Sequence, residues 1–265
     1  MRHNLKLALT IAVFLWGLFS LTPRVQAEDS GLPAAAPVSA VESAALAAVE
    51  APVVVELFSS QACLFCPQAD TLFGELIMQP HVIGLACHVD YFDVRNGSLS
   101  QPFCTVRQSW YMQTLGAGPN YTPQMVINGV RETMGNKDAD VRAAMHRAQA
   151  AAGPVRIDVR VGETVGDFIL SWPSMGHLKP DEPVAFWLAV FDKPHNLMIA
   201  EGRNKGRQMR YENIVNHMQD LGSWPAAAGI KTIQVKLEAG DMGFALLAQG
   251  QGSGRIYAAG QYKVP

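Results

Sequence analysis

Cys63 and Cys66 bracket Leu64 and Phe65 in the run Phe58-Ser59-Ser60-Gln61-Ala62-Cys63-Leu64-Phe65-Cys66-Pro67. Two thiols three residues apart on one helical turn can close a small, reducible disulfide. An apolar, β-rich run precedes them over residues 53–58, and a helical spacing of apolar residues follows over about 64–78. The first cysteine therefore falls at a helix N-terminus, where unpaired N–H groups and partial positive charge favour a thiolate. The thiolate is the form that attacks disulfides or binds soft metals. The arrangement predicts thiol–disulfide exchange. Cys63 is the exposed nucleophile, and Cys66, one turn into the helix and more enclosed, resolves the mixed disulfide. The rival is half of a zinc site, but no second Cys-x-x-Cys is present.

Other residues could support or compete with this chemistry. His88 and Asp90 close a second apolar run, residues 82–89, and stand as a proton relay or as a hydrogen-bonded structural pair. Asp93 is equally open. Cys87 and Cys104 allow three readings. They are a structural disulfide closing a loop of about 17 residues and contributing roughly 3 kcal/mol, or buried free thiols, or a second redox pair relaying electrons from Cys66. Glu201, Arg203, Asn204 and Arg207 form a polar, Gly-rich segment before Tyr211, read as a loop packing against the first domain, with interdomain ion pairing or recognition of an anionic group by the two arginines as its roles.

The elements that must position these residues can be read from periodicity and punctuation. A strand–helix–strand unit over 53–89 implies a right-handed parallel crossover, which brings the end of the second strand to the same sheet edge as Cys63. A polar loop follows over 93–102, then a helix over 104–115 closed by Gly116 and Gly118. A strand over 123–128 turns at Asn128-Gly129 into an antiparallel partner over 130–134. Asn136 or Asp138 could cap a helix running to about residue 152, and Gly153-Pro154 breaks it. Beyond that point short strands are expected over 155–161, 167–172, 184–190, 232–237, 243–249 and 256–262, with a short helix over 212–221. Regular short strands with turn signals suggest a β-sandwich.

The ends and composition bound the setting. Arg2, His3 and Lys6 precede an apolar run over 7–21, and Val25-Gln26-Ala27 offers a small-residue cleavage site before Glu28. This reads as a secretory signal peptide over 1–27, with an uncleaved N-terminal anchor as its rival. Residues 28–50 read as a linker with weak helix near 41–49. No later segment is long and apolar enough to span a membrane. With 265 residues and a formal net charge of -2, the chain has no basic stripe. Nucleic acid and anionic lipid are thereby disfavoured as partners. An even count of four cysteines suits a secreted or periplasmic protein with disulfides.

The element order over 52–152 is strand, helix, strand, helix, strand, strand, helix, which is the thioredoxin order. The motifs Phe58-Ser59-Ser60, Cys63, Cys66-Pro67, His88-Val89-Asp90-Tyr91, Arg107-Gln108 and Tyr121-Thr122-Pro123-Gln124 together resemble the secreted DUF1223 family. Glu201 to Arg207 and Tyr211-Glu212-Asn213 resemble that family's second block. The resemblance implies an α/β thioredoxin-like domain over 51–153, followed by a mainly-β, sandwich-like domain over 154–265. It implies that Pro123 is a cis-proline facing the cysteines, rather than an ordinary trans turn proline. Thr122 and Tyr121 would then present backbone to an extended substrate strand. Cys87 and Cys104 depart from the family pattern. Nothing between Cys63 and Cys66 resembles the histidine of strongly oxidising thioredoxin-like proteins, so the direction of exchange stays open.

Three functions follow. The first is an exported thiol–disulfide oxidoreductase without cofactor. It would act on a protein or small-thiol disulfide, with a redox partner protein, through a Cys63–Cys66 disulfide. The second is Cu(I) handling by Cys63, Cys66 and His88. The third is a non-catalytic binding module with structural disulfides.

Overall fold

The computed structural model describes residues 51–92, 98–176 and 182–265. The expected signal peptide, the linker with its weak helix, and Asp93 lie outside the described residues. All described residues belong to one compact unit.

The first sheet has strand order β2-β1-β3-β4, built from β1 (Val53–Ser59), β2 (Val82–His88), β3 (Gln124–Ile127) and β4 (Arg131–Met134). Strands β1 and β2 run parallel, joined by helix α1 (Cys66–Leu76). Strand β3 pairs antiparallel with β1 and with β4. Every residue of β1 and β2 is buried, and all but Glu56, Ser59 and His88 are non-polar, the pattern of a sheet covered on both faces. Gly84 of β2 has a steric reason: a Cβ there would stand 2.2 Å from Ile77 Cγ2, so α1 could not lie this close. Asn128 and Gly129 both take positive φ, 49° and 67°, and turn β3 into β4 as their types predict. Helices α2 (Pro102–Thr114) and α3 (Asp138–Ala150) complete this part.

Some boundaries differ from expectation. Helix α1 starts at Cys66 rather than near residue 64, so Cys66 opens the helix instead of standing one turn inside it. Neither Asn136 nor Asp138 caps α3. Lys137 occupies the cap without a side-chain bond, and Asp138 pairs forward with Arg142.

The remaining strands are β5 (Val155–Arg156), β6 (Asp158–Val161), β7 (Asp167–Trp172), β8 (Val184–Asp192), β9 (His195–Met198), β10 (Gln208–Tyr211), β11 (Val215–Ser223), β12 (Gly229–Gln234), β13 (Asp241–Gly250) and β14 (Ile256–Lys263). They form a five-stranded sheet, β11-β8-β13-β14-β5, a three-stranded sheet, β12-β7-β6, and the two-stranded β9–β10 arm. The strand expected over 155–161 is split at Ile157, because β5 pairs with β14 while β6 pairs with β7. The helix expected over 212–221 is strand β11. Its two register shifts against β8 blur the period-two alternation, and ladder pairing with β8 overrides the local pattern.

The layers share cores. Phe168, Leu170 and Trp172 of β7 meet Phe186, Phe244 and Leu246 between the two later sheets. The opposite face of the five-stranded sheet, with Ala189, Phe191, Ala245 and Leu247, packs on Val54, Ile83 and Leu85 of the first sheet. Leu197, Ile199, Met209 and Tyr211 of the arm region pack with Leu72, Phe73 and Leu76 of α1. Burial of each Val, Leu or Ile at such a junction is worth about 1.5–3 kcal/mol. A few of them match a typical total stability of about 5–15 kcal/mol. The expected border at 153/154 therefore marks a change of sheet, while cores run across it.

Candidate functional site

Cys63 ends the turn after β1, and Cys66 begins α1. Both are free thiols. The helix N-cap, Phe65, makes no side-chain capping bond, and the first turn holds no acidic residue. Its donors are left for the Cys63 sulfur. The Cys66 thiol, donating to that sulfur, is the largest influence drawing Cys63 from an ordinary 9.0 to about 6; burial opposes it, and Thr122 and the Phe65 and Cys66 backbone groups add to it. Burial pushes Cys66 far in the other direction, helped by its bond to Cys63 and by the Asp70 charge. The two thiols are thus differentiated: one ionised at neutral pH, one held protonated. Contrary to the exposed nucleophile expected from sequence, Cys63 keeps only 7% of its surface accessible, and Cys66 keeps none. Thr122 stands against the Cys63 sulfur and Asn204 bonds the Cys63 backbone carbonyl. Of the two cysteines, Cys63 alone keeps accessible surface.

Beneath the pair lies Asp70, four residues after Cys66 on α1 and 5% exposed. Ser59 Oγ donates to its Oδ1 at 2.8 Å, while Oδ2 is buried without a partner among the described residues. Burial raises this carboxyl from 3.8 to about 8, with a smaller push from the Cys63 charge. It is therefore largely protonated at neutral pH while Cys63 is charged.

The facing wall is the segment before β3. The Thr122–Pro123 bond is cis, as the family resemblance implied. The Cys63 Sγ lies 3.6 Å from the Thr122 carbonyl oxygen. Gln108 of α2 steadies this wall: its Nε2 donates to Tyr121 O at 2.7 Å and to Gln124 Oε1 at 3.0 Å. Its Oε1 accepts from the Tyr91 hydroxyl at 3.0 Å. Tyr121 donates onward to Glu132. Phe65, 57% exposed, and the exposed Tyr91 and Phe92 leave apolar surface around the motif. Tyr91 is close enough to feel both sulfur charges, although burial is the main reason its phenol rises to about 12.

The remaining sequence candidates are placed as follows. His88 is fully buried, edge-on to the Tyr211 ring at 5.1 Å. Asp90 accepts from the Thr105 hydroxyl, which in turn accepts from the Asp90 backbone N–H. That engages Asp90 in a local contact with α2. Among the described residues no three His, Cys, Asp or Glu side chains are brought together as a group able to hold a metal ion, Cys63, Cys66 and His88 included. Cys87 and Cys104 are bonded to each other across 17 residues, which removes the free-thiol and relay readings of that pair in this state. Cys63 and Cys66 are in the dithiol form rather than the disulfide that their spacing permits.

The polar segment 201–207 contributes through one residue. Asn204 is 1% exposed, and its Nδ2 donates to Cys63 O at 2.7 Å and to Gln61 O at 3.0 Å. A loop packing against the first part was expected of this segment; the contact is made by an amide to backbone carbonyls.

The family profile described as "Protein of unknown function (DUF1223)" matches residues 54–249. The chain belongs to the DUF1223 family. No curated protein matches it. Among solved structures, a structural-genomics protein from Agrobacterium tumefaciens is 25% identical, with a TM-score of 0.67 over 81% of this chain and 95% of that one. HBP35 of Porphyromonas gingivalis is 14% identical, with a TM-score of 0.57 over 82% of this chain and 76% of that one; the likeness is one of fold alone.

In this DUF1223 chain, Ser59 and Asp70 are site residues that sequence reasoning passed over as chemistry, and Asn204, named only within the polar 201–207 segment, was not linked to Cys63. Asp70 carried a usable signal: an acid on the apolar face of α1, in register with Cys66. Asn204 carried none, because 141 residues separate it from Cys63.

Proposed function

We propose that this DUF1223 protein is an exported thiol–disulfide exchange protein in which residues 51–153 act as a thioredoxin-like domain. The observation that carries the reading is the asymmetry of the pair: an ionised Cys63 that keeps some accessible surface, beside a fully buried, protonated Cys66. The Cys63 thiolate attacks one sulfur of a substrate disulfide. A Cys63–substrate S–S bond forms, the substrate's own S–S bond breaks, and its other sulfur leaves as a thiolate that takes a proton from water. Loss of the Cys63 charge removes one cause of the raised Asp70 carboxyl, so Asp70 gives up its own proton to solvent more readily and enters its carboxylate form. Asp70 then accepts the Cys66 proton as Cys66 attacks Cys63 Sγ. The mixed disulfide breaks and the second substrate thiolate leaves. Two electrons pass from the dithiol to the substrate, and Cys63–Cys66 becomes a disulfide. The same steps in reverse oxidise a substrate dithiol.

The apolar rim of Phe65, Tyr91 and Phe92 favours a polypeptide disulfide over a small charged thiol as substrate. Purified protein should turn over a fluorescent peptide disulfide with a dithiol co-substrate, and Cys63→Ser should abolish turnover. Equal rates for the two proteins would reject the reading.

A further inference from the structure

The turn carrying Cys63 is pinned from a distant part of the chain. Residues 60–63 form a tight turn in which Cys63 N donates to Ser60 O at 3.2 Å and Ala62 N to Ser60 Oγ at 3.2 Å. Leu99 N donates to Gln61 Oε1 at 3.1 Å. The carbonyls of Gln61 and Cys63 both point to Asn204, which is held in a short 3-10 turn, Gly202–Asn204, at the tip of the β9–β10 arm. The arm is anchored on both sides of that tip. Ile199 N donates to Arg207 O at 2.9 Å, Gly206 N to Ile199 O at 2.8 Å, and Ile199 and Tyr211 are buried against the α1 core.

We propose that Asn204 is a positioning residue for the Cys63 thiolate, holding the nucleophile's turn so that the N–H groups opening α1 aim at the sulfur. Cys63 O is shared by two donors, Asn204 Nδ2 and Cys66 N, the latter at 3.3 Å. The Cys66 peptide therefore takes its orientation from a carbonyl that Asn204 fixes. Hydrogen bonds to a charged sulfur weaken steeply with misalignment. A turn freed of its outside donor loses that alignment, while its own internal bonds persist. Asn204 touches backbone only, so it sets the electrostatics of the sulfur without contacting substrate. The proposal rests on the assignment of Cys63 as the reacting thiol and names what regulates that thiol: the arm carried by the β-rich part.

The test is the pH dependence of Cys63 alkylation by iodoacetamide, resolved by mass spectrometry, in the full chain. It reads the thiol directly and requires no exchange activity, so it can fail independently of the proposed function. Asn204→Leu roughly keeps the shape, removes the donors and adds no charge; Asn204→Ala removes the side chain; Asn204→Gln keeps an amide. The expected result is a midpoint near 6 in the wild type and about one unit higher in Asn204→Leu and Asn204→Ala, roughly a fivefold loss of thiolate at pH 6. Asn204→Gln should recover part of the shift. A titration for Asn204→Leu that overlays the wild type, even with a lowered melting temperature, overturns the proposal and leaves Asn204 a structural residue. Should Asn204→Leu fail to fold, the Asn204→Ala curve decides in the same way. Loss of folding in both, with wild-type behaviour in Asn204→Gln, also overturns it.

Discussion

The Asn204 side-chain amide lies 2.7 Å from the carbonyl oxygen of Cys63, across 141 residues of chain. One arm of the β-rich part thereby completes the turn that carries Cys63. The same part supplies core to the sheet beneath, through Phe191, Ala245 and Leu247 against Val54, Ile83 and Leu85. The cysteine motif and the later strands form one physical system.

The Cys66 thiol is the largest influence holding Cys63 ionised. Cys66→Ala removes that donor and should raise the Cys63 alkylation midpoint from about 6 toward 8, since the remaining backbone donors are each weaker. Cys66→Ser, which restores a hydroxyl donor, should fall between. A midpoint unchanged in Cys66→Ala would show that the helix N-terminus alone ionises the sulfur.

Asp70 should destabilise the native state in a defined pH window. Its folded carboxyl is raised to about 8 from 3.8. Between those values the unfolded chain has released the proton and the folded chain has kept it, so stability falls as pH rises. Asp70→Asn keeps an acceptor for Ser59 and escapes this penalty. Its gain over wild type should be absent below pH 4, grow to pH 8 and reach roughly 2–5 kcal/mol there. Urea titrations at pH 4, 6 and 8 measure it, and a gain independent of pH would mean that the carboxyl is not raised. Under the proposed mechanism the same variant should accumulate mixed disulfide at neutral pH, visible by mass spectrometry after quenching.

A third expectation concerns the polar node beneath the sheet. Arg107 pairs with Glu56 and donates to the Tyr111 hydroxyl at 3.0 Å and to Gln249 Oε1 of β13 at 3.1 Å. All four residues are buried. Arg107→Met leaves the Glu56 carboxylate uncompensated and should cost about 3–5 kcal/mol. Adding Glu56→Gln should recover most of it, because two neutral groups replace an unpaired charge. Denaturant midpoints of the single and double variants give the coupling; strict additivity would contradict a paired node.

Much of the first part was legible locally. The run 53–58 and the pattern after Cys66 predicted β1 and α1 because a doubly buried strand and an amphipathic helix each leave a periodic trace. Asn128-Gly129 announced its turn because few other residue pairs tolerate positive φ twice. The later strands were less legible. Strand β11 reads as helix in isolation, since two bulges spoil its alternation and only pairing with β8 makes it a strand. Strands β9 and β10 were missed because the arm is held by contact with Leu72, Phe73 and Leu76 of α1.

The sequence by itself determined the Cys63–Cys66 motif, its place between a strand and a helix, and the family, because those depend on residue types a few positions apart. Only the tertiary structure decided that Cys87 bonds Cys104, that Asp70 is a buried acid beneath Cys66, and that Asn204 grips the Cys63 turn. Each of those needs groups brought together across the packed layers, and burial is a property of the whole fold. Charge and hydrogen bonding at a sulfur depend on what surrounds it in space, which no spacing along the chain encodes.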